Sequence, residues 1–148
     1  MLFITFDMMD DRYAIAAADI VEIVPLVNTK KIPDTPDYVR GIINFRGQPI
    51  PVVDINQYSG HGECQRSLST RILLVRYVKL GNIRIIGLIA EHVTETVKCS
   101  YDEFTESGIN SETSAFQTKV ARIGGKFIQL IDTSRIFPEE LDMRLFAA

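Results

Sequence analysis

Cysteine is scarce in this chain of 148 residues: it has two, Cys64 and Cys99, with no C-x-x-C spacing. A fold stapled by disulfides is thereby excluded, and reduced structural thiols are expected. Long apolar runs are missing too. No stretch approaches the ~18 to 20 residues that span a bilayer as a helix. The opening MLFITFDMMDD also lacks the basic n-region and small-residue cleavage site of a signal peptide. Folding is expected to begin at residue 2, in the cytosol, without membrane insertion. Nor is there an excess of positive charge. Lys and Arg total 16 against 19 Asp and Glu, for a formal net charge of -3, which argues against a general nucleic-acid or anionic-membrane binder.

Catalytic signatures are absent as well. There is no G-x-x-x-x-G-K-[ST], no G-x-G-x-x-G after a strand, no H-E-x-x-H and no G-x-S-x-G. The densest enzyme-like group is HGEC, where His61, Glu63 and Cys64 could supply a metal site or a nucleophile with a base. His92 is the one other imidazole. The favoured reading is a solvated loop with no cofactor and no catalysis. A small metal- or thiol-dependent enzyme is the alternative.

What the chain does have is strand material. A hydrophobic fraction of 46% with 24% charged residues suits one compact unit with a real core. Nine short runs rich in Ile, Val, Phe or Tyr are bounded by Gly, Asp, Asn or Pro: LFITF, RYAI, GIINF, PIPVVDI, RILLVRYV, NIRIIGLIA, VTETVKC, TKVARIG and KFIQLID. They point to an all-β chain. In RILLVRY both faces are largely apolar, so such strands are covered on both sides. Gly124-Gly125 predicts a type I′ or II′ hairpin turn, and Gly81-Asn82 a similar one. The tail FPEELDMRLFAA predicts a short C-terminal helix, with Pro138 at the first position, Glu139 and Glu140 at the positive end, and Leu141 with Leu145 four residues apart. The polar stretch 59–70 reads as a loop or as the boundary between two lobes, and residues 102–118 as a long acidic surface connection.

The most informative segment is YVRGIINFRGQPIPVVDI, residues 38–55. Arg46-Gly47-Gln48-Pro49 lies between two apolar runs and carries glycine where a positive φ is convenient, so the segment predicts a hairpin. Asp54 ends its second strand, where a carboxylate can cap the following turn INQY. A guanidinium at a turn beside an apolar lobe is a preferred anchor for protein contacts. These features favour a binding module; a generic SH3-like module with a peptide ligand is a further reading.

Residues 32–55, IPDTPDYVRGIINFRGQPIPVVDI, resemble the core signature of the CheW-like domain of bacterial chemosensory coupling proteins. The likeness extends more loosely to FITF…DRYAIAAADIVEIV, to RILLVRY…NIRIIGLIAEHVTETV and to VARIGGKFIQLIDTSRIF. The resemblance implies two five-stranded SH3-like β-barrels around a third apolar core, within one unit spanning residues 1–148. The boundary between lobes is expected in loop 59–70, with the N-terminal strand able to join the second lobe. It implies a non-catalytic adaptor linking the cytoplasmic tip of a chemoreceptor to the regulatory domain of the histidine kinase CheA. The expected location is the cytoplasm, at membrane-associated receptor arrays. By motif, Ile20, Glu22, Gly41 and Arg46 fall where the family places its receptor contact, and Glu22 and Arg46 match its acid-base pair. The kinase contact is expected on exposed loops and edges of the first barrel. Three departures stand out: Phe45 where Leu is usual, Val24-Pro25 after VEI, and His92 where a small residue often follows the acid. The last two bear on which receptor is recognised. With no fused receiver or kinase domain, a stand-alone coupling protein is expected.

Overall fold

The structure is a computed structural model, and it describes residues 1–106 and 119–137. The expected helix from Pro138 and most of the acidic connection, residues 107–118, lie outside the described residues. Among the described residues ten strands appear in chain order: β1 (Leu2–Met8), β2 (Asp11–Ala16), β3 (Ile20–Pro25), β4 (Val39–Phe45), β5 (Gln48–Asp54), β6 (Arg71–Lys79), β7 (Asn82–Lys98), β8 (Thr105–Glu106), β9 (Lys119–Ile123) and β10 (Lys126–Leu130). One helical turn, α1 (Ile55–Tyr58), follows β5. The chain is all-β, as the run of β-branched and aromatic segments predicts.

The strands form two lobes that share β7. The first runs β3-β6-β7-β5-β4, and a bridge between Lys30 and Ile42 links β4 to the strap that follows β3. The second runs β7-β1-β2-β10-β9, with the two-residue β8 at its edge. Three apolar clusters match this arrangement. Ile50, Val52, Ile72 and Leu74 fill the first lobe. Phe3, Phe104, Ala14, Ala121 and Ile128 fill the second. The largest cluster, with Phe6, Tyr13, Leu73, Val75, Tyr77 and Leu88, lies in the seam. The strand period of two sorts β6 between them: Ile72 and Leu74 enter the first lobe while Leu73 and Val75 enter the seam. That sorting is why RILLVRY is apolar on both faces.

Three expectations are corrected. NIRIIGLIA and VTETVKC are parts of one strand, because β7 pairs with β6 through residues 82–90 and with β1 through residues 91–98. At the crossover the pairing skips from Asp7 with Glu91 to Thr5 with Glu95, so residues 92–94 oppose Phe6 alone. His92, inside β7, takes a left-handed φ of 53° in this bulge. The N–H of Val93 is met by the Ser69 carbonyl at 2.9 Å, and its side chain enters the seam. The change of lobe therefore falls at residues 91–93. Loop 59–70 instead connects β5 to β6 within the first lobe. The third correction is one residue in size. The β6–β7 turn is Leu80-Gly81, with φ of 51° and 79° and Lys79 paired with Asn82, so glycine fills the second left-handed position rather than the first. Gly124-Gly125 makes its turn where expected, with φ of 60° and 80°.

Candidate functional site

The β4–β5 hairpin builds the candidate site. Phe45 pairs with Gln48, leaving Arg46 and Gly47 as a two-residue turn with φ of 52° and 81°, the type I′ pattern. The Asn44 carboxamide oxygen accepts the Gly47 N–H at 2.8 Å and closes the turn. A non-glycine residue in the left-handed region costs energy, so Arg46 is held there by its surroundings. Its guanidinium, with a side chain 75% exposed, has a nitrogen 3.9 Å from a Glu22 carboxylate oxygen. It also lies 4.7 Å from the centroid of the Phe45 ring. An exposed pair at that distance adds at most about 1 kcal/mol of stability. Its effect is orientation: an acid on one side and an aromatic face on the other hold the guanidinium in a presentable position.

The other residues implied by the motif are placed differently. Ile20 opens β3 and packs, half-buried, against the seam core. The register slips between Ile20 and Glu22, and this bulge sets the position of Glu22. Gly41 is buried, at φ of 121°, and a Cβ there would sit 2.1 Å from the Lys30 carbonyl oxygen. Lys30 and Ile42 exchange reciprocal backbone hydrogen bonds of 2.9 Å directly beside it. Glu22 and Arg46 are brought together; Gly41 contributes by letting the Lys30–Lys31 backbone cross close over β4.

Asp54 performs the capping expected of it and more. At 1% exposure, its carboxylate accepts the N–H of Asn56 at 2.9 Å, of Gln57 at 3.2 Å and of Cys64 at 2.9 Å, and also the Cys64 thiol at 3.2 Å. Burial and the neighbouring carboxylate push the Cys64 thiol far up from its ordinary value. The enzyme-like trio is thereby dispersed. Cys64 faces the first-lobe core, Glu63 pairs with Arg40 at 2.9 Å, and His61 is exposed. His92 sits 3.3 Å from Asp7 instead of joining them. Among the described residues no cluster of His, Cys, Asp and Glu could hold a metal ion. A thiol kept protonated inside an apolar core is a poor nucleophile.

Two residues matter more than the sequence indicates. Phe45 enters the sequence reading as a departure from the usual Leu, yet it supplies the ring beneath Arg46; an aromatic next to a turn arginine is the signal that could have found it. Arg40 is the extra residue of a bulge opposite β5, and it donates to Gln57 at 3.2 Å and to Glu63 at 2.9 Å. Those partners lie 17 and 23 residues away, beyond the reach of local pattern.

The sequence matches the CheW-like domain over residues 2–141. The chain belongs to the CheW-like domain family. Among its relatives is the Chemotaxis protein CheW of Helicobacter pylori, 33% identical over 96 residues, or 65% of this chain and 56% of that protein. The Chemotaxis protein CheW of Rhizobium meliloti is 26% identical over 139 residues, covering 93% of this chain and 87% of that one. In structure the chain is similar to the scaffolding protein TtCheW of Thermoanaerobacter tengcongensis, with a TM-score of 0.76, 29% identity, and coverage of 88% of this chain and 83% of that one. A CheW-like fold accounts for the double lobe. No helix of the described residues is long and apolar enough to cross a membrane.

Proposed function

We propose that this CheW-like chain is a non-catalytic chemosensory coupling protein. It joins the cytoplasmic tip of a chemoreceptor to the regulatory domain of the histidine kinase CheA, in the cytoplasm, at membrane-associated receptor arrays. The observation that carries this reading is the Arg46 turn: a charged side chain held in a left-handed conformation, flanked by Glu22 and Phe45, and left exposed. Turns elsewhere in the chain also hold left-handed residues; what sets Arg46 apart is the acid and the ring that orient its exposed guanidinium. Ile20 packs β3, which carries Glu22, against the seam core, and Gly41 admits the strap over β4, which leads into the Arg46 turn. No bond is made or broken. The alternative of a metal- or thiol-dependent enzyme loses its support because Cys64 and Glu63 are engaged elsewhere.

The test is a titration of the purified chain with the regulatory domain of the CheA encoded in the same genome, followed by a receptor cytoplasmic fragment. Saturable one-to-one binding to the kinase domain is expected. Arg46→Glu is expected to keep that binding and to weaken the receptor contact. Absence of binding to any kinase homologue, or stoichiometric zinc in the purified protein, would count against this reading.

A further inference from the structure

Three features set this chain apart from the usual family pattern: Phe45, Val24-Pro25 and His92. The fold scatters them. Val24 packs against the first-lobe core, Pro25 closes β3 opposite Arg71, and His92 sits in the β7 bulge 3.3 Å from Asp7. Phe45 is the one that lies against the Arg46 guanidinium, whose carbon is 4.7 Å from the ring centroid. Little else holds that side chain. Arg12 donates side-chain hydrogen bonds to Asp7, Thr5 and Glu95, and Arg40 donates to Gln57 and Glu63. Among the described residues the Arg46 guanidinium donates none; the Glu22 oxygen 3.9 Å away is past hydrogen-bond reach.

The Phe45 ring is therefore the contact that limits where the guanidinium swings. The ring is itself fixed. It is half-buried against the first-lobe core, and its backbone pairs with Gln48 across the turn that Asn44 closes. A leucine fills the core side of such a position but offers no aromatic face to a cation. An arginine above a leucine is free to sweep, and each orientation given up on binding costs entropy. A guanidinium already in place gains affinity for a partner that matches its position and loses it for one that does not, and that difference is specificity. We infer that Phe45 is the specificity-determining residue of the receptor contact: by holding the Arg46 guanidinium over its ring, it favours chemoreceptors whose tip puts an acceptor at that one position over those that need the guanidinium to move. This inference rests on the coupling function proposed above. Receptor choice is thereby assigned to the departure that touches the site, not to Pro25 or His92, whose neighbours are Arg71 and Asp7.

The experiment measures binding of the full chain to two receptor cytoplasmic fragments, one from the same genome and one from a relative whose coupling protein has leucine in place of Phe45. Wild type is compared with Phe45→Leu, Phe45→Tyr, His92→Ala, Arg46→Gly and the double variant Phe45→Leu with Arg46→Gly. Phe45→Leu should bind the native fragment about two- to fivefold more weakly, and its preference for the native over the foreign fragment should narrow by a similar factor. Phe45→Tyr keeps the ring and should restore both, while His92→Ala should leave the preference unchanged. Phe45→Met removes the ring but fills a similar volume, and it gives the same reading if leucine unfolds the hairpin. In the Arg46→Gly background, Phe45→Leu should change nothing further. An equal loss in both backgrounds would show that the ring acts by packing and not through Arg46, and would overturn the inference while leaving the coupling function standing; an unchanged preference would do the same. If Arg46→Gly itself binds like wild type, the contact lies elsewhere and the inference falls. If the wild-type chain binds neither fragment, the coupling function falls and this inference with it.

Discussion

The hairpins β4–β5 and β9–β10 occupy matching places in the two lobes. Each is a two-residue hairpin whose second strand pairs in parallel with a neighbour: β5 with β7, and β10 with β2. Each of those strands runs into an aspartate whose side chain caps the next turn, Asp54 for α1 and Asp132 for residues Thr133–Arg135. They differ at the tip and at the cap. The second-lobe tip is Gly124-Gly125, two residues that accept left-handed φ without strain, whereas the first-lobe tip places Arg46 in that position. Asp132 is exposed and caps through one N–H, while Asp54 is buried and also gathers Cys64 from the loop that follows α1. One frame thus serves twice. The copy that carries strain and extra polar wiring is the copy that carries the candidate site.

The largest test of this asymmetry removes something the second hairpin lacks. Gly41→Ala puts a methyl group 2.1 Å from the Lys30 carbonyl, and a loss of about 4 kcal/mol or more is expected, enough to unfold the first lobe. Chemical denaturation measures it, and near-wild-type stability would mean that the strap can move aside. Next come the caps. Asp54→Ala strands three backbone N–H groups and should cost about 2 to 3 kcal/mol, whereas Asp132→Ala should cost about 1 kcal/mol. Equal losses would erase the distinction between the two aspartates.

A smaller effect concerns pH. Burial and the Asp54 carboxylate raise the folded-state pKa of the Cys64 thiol, so the folded chain favours the protonated form. The stability linked to this group is complete below the unfolded thiol value of about 8.5 and declines as pH rises above it. Denaturation midpoints of wild type should therefore fall more steeply above about pH 8.5 than those of Cys64→Ala; parallel curves would show that the thiol is not coupled to folding. The smallest stability change is expected for Arg46→Gly, which makes the first tip resemble the second. Relief of left-handed strain offsets the added freedom of the unfolded chain, leaving a shift within about 1 kcal/mol. Binding to a receptor fragment should drop all the same, and a variant that binds normally would place the contact elsewhere.

Features set by near neighbours were legible in the sequence. Gly47 and Gly124-Gly125 mark their turns, Asp54 announces a cap, and the doubly apolar pattern of RILLVRY reflects strands covered on both sides. Features set across the molecule were not. No local property of AEHVTE shows that a strand continues through His92, because the bulge is stabilised by Asp7 and Ser69, which are remote in sequence. Loop 59–70 looks like a boundary because it is polar. Its polar groups are spent on Asp54, Arg40 and Val93 of the same fold. The pairing of Glu22 with Arg46, far apart in the chain, came from resemblance to a family and not from any periodicity.

The sharing of β7 also orders events in time. β1 lies between β2 and the far half of β7, residues 91–98, so β1 needs a neighbour that leaves the ribosome long after it. Every strand of the first lobe lies within residues 20–90 and is synthesised before that neighbour is complete. The first lobe can therefore assemble as a unit during translation while β1 and β2 wait as a lone hairpin with an open edge. For that interval the β1 edge that β7 will cover stays unpaired, and completion of β7 both joins the lobes and covers that edge.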